Sequence, residues 1–285
     1  MAAVQPLKRT EGTTRRGYSA GRFYELPDGR KYPSVTNILS CIGKPALINW
    51  AAKEERLMVI EAATNLYDDA PASPKMSRLA FSTTLETRLG KEKAHRKKLR
   101  EAADIGTQAH AWIEWTLRKE LGQVVNGEPI LTDRSAYAVA QWVKWRETVN
   151  LEPIFIEQTV YSDTNEFAGT LDLGANLTWL GRRLKTVLDW KTGKSIYWEA
   201  LLQNTAYAHA IVEMKQWAEL PAGLIVRLPK VETDPPFDPA DPASVFWISP
   251  ERQAKLMPHF LHVRGTWQAQ QDLDGFAILD EENLV

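Results

Sequence analysis

Near residue 150 the hydrophobic pattern of this chain changes period, and that change limits the folds open to it. Before it, apolar residues recur at helical spacing over 107–120 and 133–149. After it, 154–161, 168–177 and 183–190 show period-two patterns and short apolar runs, and read as three successive strands. A helix is expected over 198–217, strands at 223–228 and 245–248 joined by a loop rich in Pro and Asp, and a last helix over 250–271. Helices, three strands, a helix and two further strands predict an α/β (α+β) chain. Its core is a central mixed β-sheet flanked by helices, with helical additions on the N-terminal side.

The N-terminal part reads separately. Residues 22–32 predict two short strands around the turn Pro27-Asp28-Gly29. Pro33-Ser34-Val35-Thr36 offers a helix N-cap ahead of Asn37-Ile38-Leu39. A helix is expected over 45–64, a loop over 68–78, and a strongly basic helix over 83–104. In that last segment Arg88, Lys91, Lys93, Arg96, Lys97, Lys98 and Arg100 outnumber Glu86, Glu92 and Glu101. Such a face is either solvated or in contact with phosphates. The expected division is 1–100 as a hairpin and helical region packed on the core, and 101–285 as the core itself.

Composition removes several classes of function. The chain has 285 residues, enough for a large core and one or two domains. No apolar run nears the roughly 20 residues of a membrane helix, so no membrane partner is expected. The first residues lack an apolar h-region and read as a solvated tail carrying Lys8, Arg9, Arg15 and Arg16. Cys41 is the one cysteine, which excludes an internal disulfide, a four-cysteine zinc site and a cysteine-ligated iron–sulfur cluster. A reducing compartment is expected. The net charge of −1 gives no global nucleic-acid signal, so any basic surface must be local. The acidic tail, with Asp272, Asp274, Asp280, Glu281 and Glu282, is an unsuitable place for one. Most of the eleven Trp belong to the core, and some could stack on bases.

The chemistry gathers around Asp189-Trp190-Lys191-Thr192-Gly193-Lys194. Gly193-Lys194-Ser195 looks like the end of a phosphate-binding P-loop, but that loop needs a glycine where Leu188 stands. Strand alternation turns Asp189 and Lys191 to one side and Trp190 to the other. Asp172 stands in the preceding strand between Leu171 and Leu173. Adjacent antiparallel strands can bring Asp172 and Asp189 together, where they repel unless a cation lies between them. Oxygen ligands of this kind suit Mg²⁺ or Mn²⁺. A lysine beside them can orient a water or offset charge developing on phosphorus. A plain ion pair between Lys191 and either aspartate is the alternative.

Together these residues resemble the PD-(D/E)XK nuclease superfamily, and more closely its RecB-like branch. That branch includes phage-type exonucleases and the mitochondrial genome maintenance exonuclease. GTQAHAWIE (106–114) is similar to the upstream histidine motif, and GTLD (169–172) to the strand with the first acid. DWK (189–191) is similar to the (D/E)-x-K core, and QNTAY (203–207) to the Q-x-x-x-Y motif. The resemblance covers about 100–250 and extends to Pro-Ser-Val-Thr at 33–36. It implies a restriction-endonuclease-like core with Asp172, Asp189 and Lys191 as catalytic residues. The metal ligands would be Asp172, Asp189, the main-chain carbonyl of Trp190, and His110 as ligand or close neighbour. Glu157 and Glu114 would support the site. Gln203, Tyr207, Ser34, Thr36, Arg96, Lys97, Lys98 and Arg100 would contact DNA, with Gln203 and Tyr207 alternatively supporting the lysine.

The implied activity is Mg²⁺- or Mn²⁺-dependent DNA hydrolysis, without an iron–sulfur cluster. An exonuclease acting on ends or single strands in recombination, repair or replication is expected. A structure-specific or restriction-type endonuclease, or a non-catalytic DNA-end binding protein, are the alternatives. The implied setting is the cytoplasm of a bacterial or phage-infected cell, in preference to an organellar matrix. A second copy of the chain or a recombination protein is a conceivable partner.

Overall fold

The strand pattern after residue 150 becomes one mixed sheet of five strands in the order β4-β5-β6-β7-β8. The strands are β4 (Asn150–Ser162), β5 (Phe167–Trp179), β6 (Arg182–Thr192), β7 (Ala222–Leu228) and β8 (Val245–Ile248). The computed structural model describes residues 7–13, 19–68, 77–179 and 181–274. Arg15, Arg16, most of the expected 68–78 loop, and Asp280, Glu281 and Glu282 lie outside the described residues. β4, β5 and β6 form an antiparallel meander, β6 and β7 run parallel, and β8 is antiparallel to β7. A parallel pair needs a crossover, which α6 (Trp198–Glu213) supplies. The expected central mixed sheet flanked by helices is therefore present.

Each face of the sheet has its own core. On one, Ala109, Ile113 and Leu117 of α4 (Ala94–Glu120) and Ala138, Trp142 and Trp145 of α5 (Asp133–Arg146) pack on Leu188, Trp190, Leu224 and Val226. The α4 stripe has a four-residue spacing, one helix face. On the other, Leu202, Ala206 and Ile211 of α6 meet Met257, Phe260 and Trp267 of α7 (Pro250–Asp274). Val35 and Ile38 of α1 (Val35–Leu39) join them over Val160, Leu171 and Val187. In β6 the alternation is regular: Val187 packs with the second core, Leu188 and Trp190 with the first. In β5 it breaks. Leu171 belongs to the second core and Leu173 to the first, so Asp172 sits where the two cores meet.

The N-terminal hairpin is larger than the sequence predicts. β2 (Ser19–Glu25) and β3 (Lys31–Pro33) flank the expected turn, and β1 (Lys8–Thr13) completes a separate antiparallel sheet. β1 reads KRTEGT, with no apolar alternation, so its strand exists only through pairing with β2. Tyr24 and Tyr32 of this sheet are buried with Ala168 of β5. Two compact units result: Met1–Ile42 with Ile105–Val285, and Gly43–Asp104. The division differs from the boundary expected near residue 100. The hairpin and α1 group with the sheet because Val35, Ile38, Tyr24 and Tyr32 complete its cores.

The unit Gly43–Asp104 holds α2 (Pro45–Asp68), α3 (Arg78–Leu89) and the first turns of α4. The single basic helix expected over 83–104 is broken. Gly90, at φ +66°, ends α3, and α4 starts at Ala94. α4 then continues through 105–107, where the sequence suggested a break. Among the described residues of this unit only Glu54, Ala62 and Leu66 are buried. Among the described residues no helix is long and apolar enough to cross a membrane.

Candidate active site

The site forms where the meander stops pairing. The β5–β6 ladder ends at Leu173 opposite Leu188, so the next residues on the two strands are Asp172 and Asp189. Asp172 Oδ2 replaces a strand carbonyl there and accepts the Trp190 backbone N–H at 2.9 Å. On the other side of β5, Ile156 pairs with Leu173 and Gln158 with Leu171, leaving Glu157 opposite Asp172. Glu157 has φ +48°. For a residue with a Cβ this left-handed backbone costs about 1–2 kcal/mol. Strain of this kind concentrates at functional positions. Glu157, Asp172 and Asp189 thus form a row of acids across three adjacent strands.

α4 brings His110 to this row. Its neighbours Ala109 and Ile113 are buried in the α4 stripe, which fixes the side of the helix that faces the sheet. His110 Nε2 lies 2.9 Å from the Trp190 carbonyl oxygen, and Nδ1 lies 3.4 Å from Asp172 Oδ2. Glu114 stands one turn further on and is not part of the cluster. It accepts from Arg118 Nε at 2.7 Å, and Arg118 Nη2 donates to the Ile156 carbonyl at 3.2 Å. This pair ties α4 to the strand residue just before Glu157. Arg118 was not expected from the sequence, where only its spacing from Glu114 could have suggested it.

The lysine is held from two sides. Lys191 Nζ donates to Asp189 Oδ1 at 2.8 Å and to Gln203 Oε1 at 2.9 Å. Gln203 Nε2 in turn donates to the Tyr207 hydroxyl at 3.1 Å. Tyr207 is buried, and its ring lies over Gly169, where a Cβ would come within 2.3 Å of Tyr207 Cε1. Gln203 and Tyr207 therefore position Lys191, the second of the two roles expected for them. A buried Tyr207 has no surface to offer DNA.

Electrostatics separates the two aspartates. Burial pushes Asp189 up to about 6, and repulsion from Asp172 adds to it against the pull of Lys191. Burial acts on Asp172 in the same direction, but the neighbouring His110 outweighs it and holds Asp172 below the usual carboxylate range. Burial alone would lower His110, yet Asp172 raises it to about 9. Glu157 is pushed up to about 7, first by burial and then by Asp172. For Lys191, burial is outweighed by Asp189 and then Asp172, so its amine is raised. Burial pushes the Tyr207 phenol up as well.

Part of the site could hold a metal ion. Ligand atoms of His110, Glu157 and Asp172 lie within 4.8 Å of one another. Asp189 Oδ2 is buried and 2.7 Å from Lys191 Nζ, yet it has no hydrogen-bond partner of good geometry. One imidazole and two carboxylates thus form a candidate metal-binding cluster. The expected ligand set was Asp172, Asp189, His110 and the Trp190 carbonyl. In the structure Glu157 takes a place in the cluster, while Asp189 faces the lysine and His110 holds the carbonyl.

The expected DNA contacts fare differently. Ser34 is buried, caps α1 by accepting the Asn37 N–H at 3.0 Å, and is not a surface contact. Thr36 is exposed. Arg96, Lys97, Lys98 and Arg100 are exposed on α4 within Gly43–Asp104. There Lys98 pairs with Glu54, and Arg100 lies 2.7 Å from Glu92. Comparison with known protein families and with curated proteins finds no match for the chain.

Proposed function

We propose that the protein is a divalent-metal-dependent nuclease that hydrolyses phosphodiester bonds of DNA, working from ends or on single strands. One observation carries the reading: an ammonium group, Lys191, is fixed by Asp189 and Gln203 beside a cation-ready set of His110, Glu157 and Asp172. A structural ion pair needs Asp189 and Lys191 alone. It does not need a second buried acid, a strained third one, and a dedicated glutamine to aim the lysine.

Mg²⁺ or Mn²⁺ would be held by Asp172 and Glu157 with Asp189, or with His110 once its proton is lost, and when bound would offset negative charge on the phosphate. The chain's own groups do the rest. Lys191 has three N–H donors, and Asp189 and Gln203 take two. The third is left for a phosphate oxygen or an attacking water, and the side chain is 31% exposed, enough to be reached. Asp172 holds the Trp190 amide, so the strand ends on which these groups stand keep their spacing. In the reaction water adds to phosphorus, the bond to the 3′ oxygen breaks, and that oxygen leaves with a proton.

The test is digestion with Mg²⁺ of end-labelled linear single-stranded, linear duplex and circular DNA. Linear substrates are expected to be degraded and circles spared; cutting of circles would make the enzyme an endonuclease. Asp189→Asn is expected to abolish degradation by about 10³-fold or more while DNA binding remains. Cleavage by Asp189→Asn at the parent rate would sink the assignment of this site.

A further inference from the structure

Arg9 lies in β1, the strand that the sequence did not predict, and it reaches the site from outside the large sheet. Its Nη2 donates to Thr170 Oγ1 at 3.0 Å, and its guanidinium lies 5.9 Å from the centre of the Tyr24 ring. The Tyr24 hydroxyl is 3.0 Å from the same threonine oxygen. Thr170 precedes Asp172 by two residues, about 7 Å along a strand. Arg9 is close enough for its positive charge to act on Glu157.

What Arg9 touches is as telling as where it lies. Other arginines here pair with acids: Arg30 with Asp28, Arg118 with Glu114, Arg183 with Glu152 and Arg264 with Glu166. Arg9 is exposed and is held by a hydroxyl and an aromatic ring, both neutral. Those contacts aim the guanidinium without cancelling its charge. One of its five N–H donors is engaged by Thr170, and a guanidinium fork matches two oxygens of a phosphate.

We propose that Arg9 is a substrate-binding residue that takes the non-bridging oxygens of a backbone phosphate next to the one cleaved. The inference rests on the nuclease reading. It gives the site a further cation and makes the N-terminal sheet part of the strand-binding surface. The bland alternative is a clip, in which Arg9 merely fastens β1 and β2 to β5 through Thr170.

Binding without cleavage separates the two. In the Asp189→Asn background with EDTA, the affinity for a labelled single-stranded oligonucleotide is measured from about 50 to 200 mM salt. Arg9→Ala and Arg9→Gln are each expected to weaken binding about tenfold or more at the lower salt. Each should also reduce the slope of log affinity against log salt by about 0.7, one phosphate contact. Arg9→Lys keeps the charge and should keep the slope, with weaker binding because an ammonium cannot fork. A clip would lower the melting temperature and leave the slope alone. The parent slope in both Arg9→Ala and Arg9→Gln would overturn the proposal; Arg9→Gln decides it if the alanine variant fails to fold. That outcome leaves the nuclease reading standing, which fails separately if Asp189→Asn still cleaves DNA.

Discussion

At the scale of single residues, the acids at the site differ in how they meet protons, and that sets a pH dependence. On the proposed reading Asp189, pushed to about 6, and Glu157, pushed to about 7, would bind a cation as carboxylates. Below those values a proton must leave before the cation can enter, so affinity should rise as pH climbs through 6 to 7. Calorimetric titration with Mn²⁺ at about pH 5 and about pH 8 is expected to show tighter binding at the higher pH. Equal affinity at both would mean that neither carboxylate holds the ion. Glu157→Gln should weaken binding at the higher pH by about 10–100-fold. Asp172, Asp189 and Lys191 were legible in the sequence, since charge inside apolar strands is expensive and strand alternation orients it. The position of Glu157 was not. Its left-handed backbone arises from how β4 meets β5, and nothing in the residue's identity announces it. A helix cap was legible within 33–36, but Ser34, which supplies it, was misread as a DNA contact, because a cap is satisfied from within.

At the scale of elements, two glycines of the helical region carry opposite meanings. Gly90 adopts a left-handed backbone and ends α3. Gly106 stays helical inside α4, where a Cβ would stand 3.0 Å from Thr192 Oγ1 at the end of β6. The sequence pattern carries a helix across Gly90 and breaks it at Gly106, the reverse of what the structure does. Only the approach of a neighbouring element separates a stop from a close contact. Gly169 belongs to the second kind. Gly169→Ala would drive a methyl group into the Tyr207 ring and shift the glutamine that aims Lys191. It should cost about 1–3 kcal/mol of stability in urea unfolding. Adding Tyr207→Ala should remove that extra cost, so the two changes would be strongly non-additive. Additive losses would show that the ring and Gly169 do not depend on each other.

At the scale of the whole molecule, the large sheet was legible because its buried strands are apolar runs, β7 being buried at every residue. The division into units was not. Apolar periodicity finds helices, but it does not say which of them share a core. Gly43–Asp104 buries few side chains and leaves Ile48, Ile60, Tyr67 and Leu79 exposed. Thin packing of this kind means low local stability. Limited proteolysis under native conditions is therefore expected to cut within 43–104 first, while 105–274 stays intact. First cuts inside the β4–β8 sheet would contradict that ranking. Asp172 has a different bearing on the molecule's history. It accepts the Trp190 backbone N–H of β6 in place of a strand carbonyl, so it is mortar in the sheet whatever its chemistry. Lys191 takes no strand amide; its structural duty is to pair with the buried Asp189. If the proposed activity were lost, a change at Lys191 would leave Asp189 without its partner, and a change at Asp172 would leave the Trp190 amide without its acceptor between β5 and β6. Asp172 would therefore keep a reason to stay in this sheet even in a copy with no chemistry left to do.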